Sequence, residues 1–203
     1  MNSHKRAIQT ISNISDLPMN IVVAVTAASG AIYARQLLET LIVSPEVERI
    51  ALVYSTNARK VAEYEGVTIP NSEKIEEYDN NDMFAPTASG SARWEAMVVV
   101  PSSVGTVGRV AAGVSQTLIE RTADVMLKER RKLIFVVRET PYSLVHLRNM
   151  TTLTEAGAII LPATPSFYSL PQDVEAVCRT VTDHIVALLG IQSERYEWGA
   201  KRE

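Results

Sequence analysis

"NIVVAVTAASGAIYARQLLETLIV", running from Asn20 to Val43, decides the fold. It opens with NIVVAVT, a short apolar, β-branched run of the kind buried on both faces of a parallel sheet. The small-residue turn AASG follows. AIYARQLLETLIV then places Ile32, Leu37, Leu38 and Leu41 on one helical face. The same alternation recurs outward along the chain. RIALVYS (Arg49–Ser55), AMVVVPSS (Ala96–Ser103), KLIFVVRE (Lys132–Glu139) and AIILP (Ala158–Pro162) read as four further strands. TNARKVAEYEG reads as a helix stopped near Gly66, and another helix covers about Thr117–Arg130. SLVHLRNMTTLTEAG reads as a helix closed by Gly157. PQDVEAVCRTVTDHIVALLG reads as a last one, with Pro171 near its first turn and Gly190 past its end. Alternating strands and helices predict a doubly wound, Rossmann-like α/β domain, a parallel sheet with helices on both faces. The stretch Val67–Trp94, rich in Asn, Asp, Ser and Pro, reads as a long functional loop.

The 203 residues suffice for one substantial core and not for two. The expected layout is a polar extension over residues 1–18, the domain over 19–191 and a tail over 192–203. Net charge is -3 with the signs interspersed, so no basic tract argues for nucleic acid. The extension lacks the apolar core of a signal peptide, and no run is long enough for a membrane span. One cysteine, Cys178, excludes a disulfide framework and fits a reducing cytoplasm. His4, His146 and His184 have no metal-ligand spacing, and no metal is expected.

Doubly wound sheets bind ligands beyond the carboxyl ends of their strands. Past the first strand lie Ala27, Ala28, Ser29 and Gly30, and past the second lies Ser55. Past the third come Ser102, Ser103, Val104, Gly105 and Thr106, past the fourth Arg138 and Glu139, and past the fifth the run Pro162–Tyr168. The first turn has one glycine where a dinucleotide fingerprint needs three, so a mononucleotide such as FMN fits better than a dinucleotide. Tight packing without any ligand also accounts for that turn. Arg121 and Lys128, seven apart, share one side of a helix, either as a solvated edge or as anion ligands. Arg138 and Glu139 either pair with each other or with neighbours, or serve a ligand. Glu65 stands at a helix C-terminus, where the dipole disfavours it, and is either a solvated carboxylate or assigned another task. Tyr168 and His184 are open to plain packing roles as well.

TAASGAIY, VVVPSSVGT, RTADVMLKERRKLIFVVRET and PATPSFYSLP occur in order. Together they resemble the flavin prenyltransferases, the UbiX-like or Pad-type family, over about Met19–Gly190. The resemblance implies transfer of a dimethylallyl group from dimethylallyl monophosphate to N5 and then C6 of reduced FMN. It also implies delivery of the prenylated flavin to a UbiD-like decarboxylase, no metal, and a homo-oligomer, typically a dodecamer, with active sites at subunit interfaces. Carried over by position, Ala27, Ala28, Ser29, Ser55, Ser103, Val104, Gly105, Thr106 and Arg121 match flavin contacts. Lys128, Arg138, Tyr168 and His184 match groups around the donor phosphate. Ser29, Glu65, Lys128, Glu139 and Tyr168 match the catalytic set: Glu139 beside the phosphate, Glu65 near N5. Trp198 matches a residue that helps cover the site. The chain departs from the family where Ala27 replaces a glycine, Gly105 a lysine and His184 an arginine. A histidine can still bind phosphate, with a charge that depends on pH near neutrality. Two rivals remain. One is an FMN-binding accessory subunit with no chemistry of its own. The other is a flavin-dependent thiol-type decarboxylase, disfavoured because no histidine lies between His4 and His146.

Overall fold

A computed structural model describes residues 18–193 together with Tyr196 and Gly199. All of the expected N-terminal extension except Pro18, and Trp198, lie outside the described residues. The elements run β1 (Met19–Val25), α1 (Ala31–Val43), β2 (Val47–Tyr54), α2 (Ala58–Tyr64) and β3 (Ile75–Tyr78). After a 3-10 turn at Pro86–Ala88 come β4 (Ala96–Ser102), α3 (Val104–Ala111), α4 (Leu118–Lys128) and β5 (Lys132–Val137). The order ends with α5 (Leu144–Glu155), β6 (Ile159–Pro162) and α6 (Val174–Leu189). All strand pairings are parallel, and the sheet order is β3-β2-β1-β4-β5-β6. The chain winds outward from β1 to β3, then crosses back to β4 and out to β6. That reversal opens a crevice between the ends of β1 and β4, the usual ligand position in such sheets.

The unbroken apolar runs follow from burial on both faces. Along β1, Ile21, Val23 and Val25 join the core beneath α1 and α6, where Leu37, Leu38, Leu41, Ile185 and Val186 pack. Val22 and Ala24 join the opposite core with Leu118, Ile119, Met126, Leu153 and Phe135. No helix among the described residues is long and apolar enough to cross a membrane.

The structure differs from the sequence reading in three places. The sheet has six strands, not five, because β3 lies inside the stretch read as a loop. Its sequence IEEY lacks an apolar run because it is an edge strand. Glu76 and Glu77 face solvent and pair with Arg49 and Arg59, charges that also deter edge-to-edge association. The rest of that stretch is tied down: Ala85, Thr87 and Trp94 are buried, and the Thr122 hydroxyl donates to Thr87 at 3.0 Å. Val104, Gly105 and Thr106, placed by the sequence just past the third strand, open a helix that the sequence reading did not identify, α3 over Val104–Ala111. Helix α6 begins later than Pro171 indicates, at Val174, because the Asp173 side chain caps it by accepting from the Ala176 amide at 2.7 Å.

Candidate active site

The strand ends are joined by a row of hydrogen bonds. The Ser55 amide donates to the Val25 carbonyl at 2.9 Å, and the Thr26 hydroxyl donates to Pro101 O at 2.8 Å. That same hydroxyl accepts from the Ser103 amide at 2.8 Å. The Arg138 amide donates to Ser102 O at 3.1 Å, and the Ala163 amide to Val137 O at 2.8 Å. Ser55, Ser103 and Arg138 are thereby held along one edge, beside the β1–α1 turn. Thr26, almost fully buried, is the latch between β1 and β4. The sequence reading passed over it, although it is the first polar residue after an apolar run.

The turn itself is governed by Glu65. Gly30 has φ 108°, a left-handed conformation that glycine adopts without cost, and it starts α1. The Glu65 carboxylate accepts from the Gly30 amide at 2.9 and 3.1 Å and from the Ala31 amide at 2.8 Å. Its own helix α2 offers a C-terminus that repels it, and the N-terminus of α1 offers the favourable end of a dipole instead. Burial pushes the Glu65 carboxyl up, but the Ser29 hydroxyl, the Gly30 and Ala31 amides and the Arg138 charge outweigh it. The net shift is below the usual carboxylate range. Glu65 is therefore a held anion. The helix N-terminus past β1 is filled by this carboxylate. Of the neighbouring turn residues, Ala27 and Ser29 are exposed, while Ala28 is buried and meets a ligand only through its backbone.

The open helix end is that of α3. Ser103 caps it, its hydroxyl accepting from the Thr106 amide at 3.3 Å and lying 3.1 Å from the Thr106 hydroxyl. The Val104 and Gly105 amides have no acceptor among the described residues. Two such N–H groups at a helix start form a ready anion seat. Beyond them Arg138 is exposed, and its side chain makes no ion pair or hydrogen bond with any described residue. The adjacent Glu139 instead accepts from the Thr140 amide at 2.9 Å, so the two do not pair with each other. A hollow of about 780 Å³ lined by Ser29, Asn57, Lys60, Val61, Tyr64 and Glu65 adjoins the turn.

The other expected site residues lie elsewhere on the chain. Helix α4 runs against the strand direction and delivers the chain to the start of β5. Lys128 therefore sits by the amino ends of the strands, about 20 Å from Arg138 across a six-residue strand. Lys128 pairs with Glu129. Arg121 pairs with Asp124 at 2.7 Å and donates to Ala88 O at 3.1 Å. The segment around Gly90 packs on the same face, because Arg131 donates to the Gly90 and Ala92 carbonyls. A third surface is formed by the β6–α6 loop folded along α6, where the Ser166 amide donates to the Thr180 hydroxyl at 3.0 Å. Tyr168 in that loop is 64% exposed. His184, one turn beyond Thr180, lines a second hollow of about 630 Å³ with Ser166, Ser169 and Arg179. Within one chain, the structure brings together Ser29, Ser55, Glu65, Ser103–Thr106 and Arg138, places Lys128 toward the opposite end of the sheet, holds Arg121 in the first turn of α4 against Ala88, and carries Tyr168 and His184 on the β6–α6 loop and α6.

The profile of the Flavoprotein family matches residues 10–190. "Flavin prenyltransferase UbiX" of Methanocaldococcus jannaschii is 41% identical over 185 residues, 89% of this chain and 99% of the relative. Among solved structures, AnUbiX (PadA1) in complex with FMN and dimethylallyl pyrophosphate superposes with a TM-score of 0.80 at 38% identity, covering 89% of this chain and 98% of that one. A dodecameric FMN-dependent UbiX-like decarboxylase from Escherichia coli O157:H7 gives 0.81 at 34% identity, covering 88% and 99%. The chain belongs to the Flavoprotein family and, within it, to the flavin prenyltransferases.

Proposed function

We propose that the protein joins a dimethylallyl group from dimethylallyl monophosphate to N5 and C6 of reduced FMN, and that a UbiD-like decarboxylase receives the product. The observation that carries this reading is the edge where the α3 N-terminus, the Ser29–Glu65 pair and an exposed Arg138 meet beside a large hollow. Two separate anion seats, the α3 amides and Arg138, suit a pair of phosphorylated ligands better than one. FMN supplies the nucleophilic ring nitrogen and carbon. The α3 amides with Ser103 and Thr106 hold its phosphate, and Ser55 and Ala27–Ser29 flank it. As the C–O bond of the donor breaks, its electron pair goes to the phosphate. Arg138 stabilises that developing charge, and Glu139 exchanges a proton with the phosphate. Closure at C6 adds a proton to the prenyl double bond, and the C6–H proton is released as the ring carbon bonds the resulting cation. The proton released at N5 leaves through the Ser29 hydroxyl to Glu65.

Lys128, which one copy holds toward the amino ends of the strands, completes the site from a neighbouring copy of the chain, together with Arg121, Tyr168 and His184. The dodecameric E. coli relative supports an assembly of this kind. Lys128 then adds a cationic donor to the phosphate, His184 an imidazole N–H and Tyr168 a hydroxyl. The domain responsible is residues 19–191, working in the cytoplasm without a metal.

The test is the mass of the flavin released after anaerobic incubation with reduced FMN and dimethylallyl monophosphate. A flavin heavier by one five-carbon prenyl unit is expected. Recovery of unmodified FMN, with the pyrophosphate donor also tried, would favour a flavin-carrying accessory subunit.

A further inference from the structure

The hollow beside the β1–α1 turn has a charge pattern that the reading above does not use. Asn57, Lys60, Val61 and Tyr64 lie at spacings of three, four and seven residues, so they share one face of α2 or its N-cap. Tyr64 is 94% exposed, a large aromatic ring with a bare face toward the hollow. The described residues include four lysines. Lys74 donates to Ser44 O, Lys128 pairs with Glu129 and Lys132 donates to Leu188 O. Lys60 makes no ion pair or hydrogen bond with any described residue. The only other ionised side chain in that lining is the Glu65 carboxylate, which the turn holds as an anion.

A ligand entering the hollow meets this fixed negative charge. The oxidised flavin ring is neutral and indifferent to it. The reduced ring, having lost the proton from N1, is an anion that Glu65 repels and that a cation must offset. We infer that Lys60 is a positioning residue that gives the hollow its preference for the reduced over the oxidised flavin ring, with Val61 and Tyr64 as the apolar wall against which the ring lies. The inference rests on the proposed use of reduced FMN and deepens it: the enzyme selects the redox state that can be alkylated.

The experiment measures dissociation constants for oxidised and, anaerobically, reduced FMN in the wild-type protein and in Lys60→Met, Lys60→Arg and Tyr64→Ala variants. Lys60→Met is expected to weaken reduced FMN about tenfold and oxidised FMN less than about twofold. That tenfold change in ratio lowers the midpoint potential of the bound flavin by about 30 mV. Lys60→Arg restores the ratio. Tyr64→Ala weakens both states by similar factors, as loss of an apolar wall should. Equal weakening of both states by Lys60→Met, or no change in either, overturns the inference. If that happens while the wild-type protein still yields prenylated flavin, only the role of Lys60 falls. If the ratio shifts as expected but no prenylated flavin forms, the preference for reduced flavin stands and the transferase reading falls.

Discussion

The strand-end edge and the outer face of α4 both carry charged residues, and they are finished in opposite ways. At the edge, Glu65 reaches 34 residues back along the chain to hold the α1 N-terminus, and Arg138 makes no ion pair or hydrogen bond among the described residues. On α4, each cation has a neighbour of opposite sign within three residues: Arg121 with Asp124, Lys128 with Glu129. Exposed pairs of the second kind contribute little, about 0–1 kcal/mol, and exchange partners readily. The edge is organised by the fold of its own chain. The α4 cations are available to be taken over by an anion that another copy presents.

Substitutions can sharpen this contrast. The largest expected effect is at Glu65. Glu65→Gln keeps one oxygen that can accept from the Gly30 or Ala31 amide but loses the other acceptor and the charge, so the domain should lose about 1–3 kcal/mol in urea denaturation while still folding. It removes the proton acceptor, and single-turnover alkylation should slow by about 100-fold or more with FMN still bound. Loss of FMN binding instead would assign Glu65 a purely structural role. Next are the phosphate cations. Arg138→Ala should leave stability within about 0.5 kcal/mol, because its exposed side chain makes no ion pair or hydrogen bond with a described residue, yet raise the donor KM by about 10- to 100-fold. An unchanged KM would remove Arg138 from the donor site.

Acid titration offers a smaller effect. The folded-state carboxyls of Glu65 and Glu120 both lie below their ordinary values. For Glu120, burial pushes upward, but the Arg109 guanidinium and the Gln116 and Thr117 amides prevail. A depressed folded-state carboxyl stabilises the protein above the unfolded value of about 4.3, and that contribution is lost as pH falls through the lower folded value. Denaturation midpoints should therefore decline below about pH 4.3, less steeply in Glu120→Gln than in the wild-type protein. Parallel declines would mean that Glu120 titrates alike folded and unfolded. The smallest effect is expected at His184, where replacement by alanine should weaken donor binding less than Arg138→Ala does. Unchanged donor binding would remove His184 from the donor site.

Glu65 and Glu120 also mark how far the sequence could be read. Both are carboxylates that hold helix N-termini. Glu120 does so within a Thr117–Glu120 capping box, a local pattern with a fixed spacing. Glu65 does so across the sheet, and only the mismatch with its own helix dipole hinted at it. The apolar runs identified five of six strands because burial on both faces leaves a local signature. The edge strand β3 has no such signature, and α3 was obscured by two glycines, Gly105 and Gly108, within eight residues. The residues past each strand were legible because parallel topology sends all carboxyl ends to one edge. The separation of Lys128 from that edge was not, since it depends on which way α4 runs and on how far along the helix the residue falls.

The most direct measurement asks whether the edge and the α4 face act across copies. Glu65→Gln and Lys128→Met chains are each expected to be inactive alone. Co-expressed in one cell and purified as mixed oligomers, they should regain activity, up to about a quarter of the wild-type sites if the copies assemble at random. In those sites one chain supplies an intact Glu65 and its neighbour an intact Lys128. Mixed oligomers as inactive as either parent would contradict the account, placing both residues in a site built from a single chain.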